Sequence, residues 1–321
     1  MPEEEEKITL EKIFKNVEKP SLEKKPIIVE TEQGCIDEII GFFEKNRIEK
    51  NKLFPNLKRF ENYIEEYTKF LRNKKITPKI IEEYINFSKR KEYSITNYDI
   101  GLAISSLLKV CYENGYRFFD LRKFGKIEID GFGISLKCND AVVFLADEFC
   151  GSNLFWGSKN IIVSCEKISG ESNFAATENC FIDVKFLEGK CFLAYSKNAF
   201  LISDYINSFE LGVLLNKGIV VGKKLGGNYN FTMAKNLAVT IEEIEGDGNF
   251  YMAKHCVVNA ANVNGNDNFY ATKNVIGRLN EVCGEGCFID SKNTYIEMEN
   301  YIAKRKQNLE DCVLICKGKL I

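Results

Sequence analysis

The sequence predicts an α+β protein: an N-terminal helical domain followed by a stack of eight or nine coils made of short strands, each coil 19 residues long. Three observations carry this. Apolar residues recur at helical spacing from Cys35 to about Gly115. Beyond Gly115 that period disappears, and glycine returns in one 19-residue register at Gly151, Gly170, Gly189, Gly227, Gly246, Gly265 and Gly284, with Ser208 in the single gap. Between these glycines, whole rows of positions keep one residue type from copy to copy.

Residues 1–33 are charged, weakly patterned and interrupted by Pro2, Pro20 and Pro26, which reads as a flexible arm with at most one short strand at "PIIVE". The helical domain, 34–120, follows. "CIDEIIGFFEKNRI" places Ile36, Ile39, Ile40 and Phe43 on one face, and the next helix does the same with Leu57, Phe60, Ile64, Tyr67 and Leu71. Thr77-Pro78 sets an N-cap before a proline suited to the first helical turn, opening a helix that carries Ile81, Tyr84 and Ile85. A fourth helix starts near Thr96, with Asp99 at capping-box distance and Gly115 as its stop. It is apolar on most sides, as a central helix should be.

The coils occupy 131–302. Four positions after each glycine stand Phe155, Phe174, Leu193, Gly212, Phe231, Phe250, Phe269 and Phe288. Nine positions after stand Asn160, Asn179, Asn198, Lys217, Asn236, His255, Asn274 and Asn293. Two further rows are apolar almost throughout, one running from Val163 to Ile296 and the other from Ile168 to Tyr301. A less regular turn, "FGISLKCNDAVVFLADEFC", reads as a ninth copy. Nineteen residues are too few for two helices and a turn, whereas β-branched and aromatic rows suit strands. Alternation then sets Phe250 and Met252 against Asn249 and Tyr251 on opposite faces. Stacked copies bring like residues within about 4.8 Å, and each inward Val, Ile or Phe contributes roughly 1.5–3 kcal/mol by burial. Glycine marks one corner, and the asparagine row forms an amide ladder at another.

This recurrence resembles the parallel β-helix, or β-solenoid, class of architecture. The hexad of left-handed acyltransferases and the dense glycine motif of the glutamate synthase solenoids are both missing. Solenoids need covered ends. The helical domain is expected at the first coil, and the tail, 303–321, at the last.

Bulk properties narrow the function. A net charge of −2 creates no global field for nucleic acid or an anionic membrane. No apolar stretch is long enough for a membrane span, and "MPEEEEKITL" lacks the features of an export signal. Twelve cysteines in a long chain of this kind read as free thiols in a reducing compartment, so the expected location is the cytoplasm.

Four constellations are candidates for chemistry. Cys283, Cys287, Cys312 and Cys316 form two Cys-x-x-x-Cys pairs, a possible thiolate set for a metal. The spacing departs from a zinc ribbon and no histidine stands near, so the preferred reading is small buried residues and no cofactor. Tyr251 and Tyr270, with Trp156 in the same row, should flank a lysine row containing Lys254, Lys273 and Lys292. Such a surface suits a protein partner, an anionic polymer or a carbohydrate, while a plain solvated lysine row would only block edge pairing. Glu166, Asp183, Asp204, Glu242 and Glu243 are outward acids, but their slots in the repeat differ and give no defined catalytic pair. His255–Cys256 looks like a dyad, yet His255 sits in the asparagine row and neighbours on a strand point to opposite faces. The function expected is a non-enzymatic scaffold or binding protein presenting a rigid surface, with a carbohydrate-active or other enzyme using a solenoid groove as the alternative. Three clustered outward carboxylates would favour the enzyme; an uncharged apolar strip would favour a protein partner.

Overall fold

The computed structural model describes residues 32–46, 56–90, 97–302 and 312–320. The arm, its "PIIVE" segment and Thr96 lie outside these residues. Four helices, α1 (Glu32–Lys45), α2 (Leu57–Leu71), α3 (Pro78–Lys89) and α4 (Asn97–Glu113), precede a parallel β-solenoid of about 10 turns.

The helical faces pack as their spacing dictates. Ile36, Ile39 and Phe43 of α1 are buried, as are Phe60, Ile64, Tyr67 and Leu71 of α2 and Ile81, Tyr84 and Ile85 of α3. Helix α4 is the central one, buried almost without break from Leu102 to Leu108. Thr77 takes the extended N-cap conformation before Pro78, but its hydroxyl makes no capping bond, so proline alone begins α3. Gly115, at φ +93°, stops α4 in a conformation that costs other residues more. No helix among the described residues is long and apolar enough to cross a membrane.

The bundle closes the start of the solenoid rather than standing apart from it. Gly101 of α4 lies so close to the next segment that a β-carbon there would fall 1.9 Å from the Asp130 carbonyl oxygen. One turn on, Ser105 Oγ donates to Gly131 O at 3.1 Å. Leu57 packs on Gly157, Phe60 meets Trp156 edge to face, and Lys137 and Ser135 both bond Glu61. Helices and coils therefore share one continuous apolar core.

The full-length coils carry β5 (Lys159–Glu171), β6 (Glu178–Lys190), β7 (Lys197–Phe209), β8 (Asn216–Gly226), β9 (Lys235–Glu245), β10 (Lys254–Asn264) and β11 (Lys273–Cys283). Each pairs in parallel with the next, residue i against residue i+19, as in Val239↔Val258↔Gly277. The solenoid is longer than the repeat suggests. Before β5 come β1 (Phe118–Asp120), β2 (Lys126–Glu128), β3 (Lys137–Leu145) and β4 (Glu148–Cys150), already in parallel pairs. The irregular copy is explained by extra residues: Lys137 pairs with Lys159, but Val142 with Ile161. The bulge between them is held by the Tyr112 hydroxyl, which accepts from the Asn139 and Asp140 N–H groups at 2.7 and 3.2 Å. At the far end β12 (Tyr295–Ile302) pairs with β13 (Val313–Cys316), so the tail first extends the stack. Strand β14 (Lys319–Leu320) then folds back antiparallel on β13 and ends it.

Every apolar residue described in the two interior rows is buried, apart from the partly buried Tyr301, and the phenylalanine row stacks, with Phe250 and Phe269 centroids 4.8 Å apart. The segment around that row is not a strand, however. Counted from each glycine, positions 2, 4, 6 and 9 all have positive φ, as in Tyr229, Phe231, Met233 and Asn236 (57°, 60°, 55° and 55°). This corrects the strand alternation expected there. Asn249 and Phe250 are both buried, Met252 is exposed, and Tyr251 is intermediate. Two left-handed residues of one turn send their N–H groups to opposite neighbours: Phe250 N donates back to Asn230 O, and Met252 N forward to Tyr270 O, both at 2.8 Å. Inter-coil hydrogen bonds thus offset the cost of left-handed backbone at bulky residues. Glycine is favoured in this row on two counts. Gly189 has φ +147°, and a β-carbon there would lie 1.8 Å from Gly170 O in the coil before.

Candidate functional site

The chemistry-bearing residues divide among a corner ladder, a basic column, an acidic cleft and an apolar ridge. At the corner, Asn179 Nδ2 donates to Asn160 Oδ1 and Asn198 Nδ2 to Asn179 Oδ1, each at 2.9 Å. Lys217 interrupts the row, and Asn236 reaches sideways to Asn216 Oδ1 at 3.1 Å. His255 belongs to this ladder: its Nδ1 lies 3.2 Å from Asn274 Nδ2, and its φ of +55° matches the asparagines. Cys256 faces the interior, where burial pushes its thiol up to about 11, and it contacts the Lys254 carbonyl instead of the ring. A thiol held protonated on the opposite face from the imidazole is not a nucleophile–base pair.

The four C-terminal cysteines do not converge. Cys283 contacts Glu281 Oε1, Cys287 the Gly265 carbonyl, Cys312 the Ser291 carbonyl and Cys316 the Glu299 carbonyl. Hydrogen bonding to Glu281 raises the Cys283 thiol, and burial pushes Cys287 up to about 11. Among the described residues no group of three or more His, Cys, Asp or Glu side chains is placed to hold a metal ion, and no two cysteines form a disulfide.

Tyr251 and Tyr270 stack with centroids 5.2 Å apart and planes within 5°. Trp156 is not part of that platform; it packs against Phe60 at the bundle junction. Lys235, Lys254, Lys273 and Lys292 follow one another on successive coils, joined by parallel pairing. Lys137 and Lys159, lower in the same column, are neutralised by Glu61 and Glu178. Lys235, Lys254 and Lys273 have no carboxylate within 4.0 Å among the described residues.

The acids are more clustered than their slots in the repeat imply. Glu166, Asp183 and Asp204 join Asp147, Arg122 and Lys185 around a cleft of about 420 Å³; Glu242 and Glu243 lie outside it. Burial, and secondarily the Asp204 charge, raises the Asp183 carboxyl. Lys185 reaches Glu166 at 3.4 Å and Lys223 reaches Asp204 at 2.9 Å, so two of the carboxylates carry their own counter-ions.

Sequence reasoning missed the apolar ridge. Eleven positions down after each glycine, an outward column runs without a polar residue: Phe118, Val143, Ile162, Phe181, Phe200, Ile219, Ala238, Val257, Ile276, Tyr295 and Val313, each paired with the next. Ten steps of about 4.8 Å make it roughly 48 Å long. Ile219, Val257 and Ile276 are 44%, 44% and 57% exposed, and Phe181 stacks on Phe200 at 5.0 Å. The signal was present. "CFIDV", "AFLIS", "GIVVG" and "CVVNA" are apolar at adjacent positions, the mark of a parallel strand covered on both faces. The chain matches no family model, no curated protein and no solved structure.

Proposed function

We propose that the protein is a binding scaffold without catalytic activity, whose solenoid offers a basic column and a tyrosine pair to an acidic segment of a partner protein. The observation that carries this reading is the run Lys235, Lys254 and Lys273. Lysines whose backbones repeat at about 4.8 Å hold like charges near one another, and a bound anion relieves that repulsion. Tyr251 and Tyr270 add a flat face beside the column, suited to side chains carried along with the acids. A fluorescent poly-glutamate peptide titrated into the full chain is the test. Binding should weaken steeply with salt and drop by about tenfold or more in Lys254→Glu/Lys273→Glu, since each lost partner charge removes on the order of 1 kcal/mol. Binding unchanged by the double variant would exclude the column.

A second reading rests on the acidic cleft. Asp183, its carboxyl raised by burial and secondarily by the Asp204 charge, lines one cleft with Glu166 and Asp204, the kind of acid cluster that glycoside hydrolysis uses. Hydrolysis of a polysaccharide panel, abolished in Asp183→Asn, would favour it over the scaffold.

A further inference from the structure

We propose that the apolar ridge is the seam of a homodimer, in which two copies pack face to face with their solenoids antiparallel about a two-fold axis through Ile219. This does not rest on the anionic-partner reading. The central outward position of these strands is apolar on every coil, yet among the described residues only the inner face of the strands is covered. A ridge about 48 Å long and about 10 Å wide offers on the order of 500 Å² per copy, or about 1,000 Å² in all, the lower end of specific interfaces.

A second copy fits because the column is complementary to itself when reversed. Counting outward from Ile219, Phe200 on one copy meets Ala238 on the other, and Phe181 meets Val257. Large residues on one half therefore face small residues on the other. The neighbouring outward row behaves likewise: Val221 meets itself, Ile202 meets Thr240, and Asp183 meets Asn259. No like charges oppose each other in these pairs. A two-fold along the strand direction also sets both columns on the same edge of the seam, with Lys197 of one copy opposite Lys235 of the other and Glu178 opposite Lys254. These like and unlike edge pairs offset one another and are screened by salt, whereas the apolar contact is not, so the dimer must persist as salt rises.

Sedimentation equilibrium on the full chain up to about 100 μM, where a seam of this size associates, is the test. The expected result is a species of twice the chain mass that persists as salt is raised. Ile219→Lys sets two ammonium groups against each other on the axis and should weaken association by about thirty-fold or more, with the far-UV circular dichroism unchanged. Ala238→Trp separates this packing from general stickiness: it enlarges the apolar surface but collides with Phe200, so association should fall. Monomer at all concentrations, or stronger association of Ala238→Trp, would overturn the proposal. So would a dimer that appears only after removal of residues 1–31, because the arm would then be the cover.

Discussion

Asparagine builds two ladders in this solenoid, with the same spacing and opposite consequences. The outer one, Asn160, Asn179 and Asn198, links exposed amides to one another. The inner one, Asn173, Asn230, Asn249 and Asn268, is fully buried within the "NF" pairs of four of the turns. Its oxygens accept backbone N–H groups of the preceding coil, as from Asn230 N to Asn249 Oδ1 at 3.1 Å and Asn249 N to Asn268 Oδ1 at 2.9 Å. Its Nδ2 groups return to the glycine row, with Asn249 and Asn268 donating to Gly246 O and Gly265 O at 2.9 Å. The inner amides substitute for a sheet ladder where the backbone turns, and water cannot replace them. The outer amides compete with water throughout, so their main contribution is tolerance of left-handed backbone.

Substitutions at four positions rank this difference. The reference for interior disruption is Val258→Asp, which puts an unpaired carboxylate in the fully buried row and should cost about 4–5 kcal/mol, read as a shift of the denaturant midpoint. Asn249→Leu keeps the volume but strands a buried N–H and a carbonyl, for an expected loss of about 2–4 kcal/mol. Were it to cost no more than an outer-ladder substitution, the inner amides would be fillers. Next comes Asn236→Ala in the outer row, at about 1 kcal/mol, most of which Asn236→Gly should avoid because glycine accepts positive φ freely. Equal losses for alanine and glycine would assign the cost to the amide instead. The smallest effect belongs to His255→Asn, which returns the slot to its usual occupant and should leave the midpoint within about 0.5 kcal/mol of its starting value. Loss of a measured binding activity in that variant, with the fold intact, would give His255 a role beyond the ladder.

These ranks also show where the sequence was legible. His255 was placed correctly because its slot recurs, and recurrence in a stacked repeat fixes who a residue's neighbours are. Asn249 was placed on the wrong side because a strand was assumed where left- and right-handed residues alternate. Only the first position of that turn is consistently glycine, so Phe250 and Met252 gave no local sign of positive φ.

By itself, the sequence determined the coil length, the inter-coil register and the buried apolar rows, since a fixed 19-residue period leaves each residue only its own counterparts to stack upon. It also determined the helical faces of the bundle, through their spacing. Tertiary structure decided the rest. Among the described residues it gathered Asp147, Glu166, Asp183 and Asp204 into one cleft, scattered the C-terminal cysteines and left the ridge open. Those outcomes depend on how the coil bends at its corners and where the bundle stops covering it, and a period along the chain encodes stacking between coils but not the cross-section of each one.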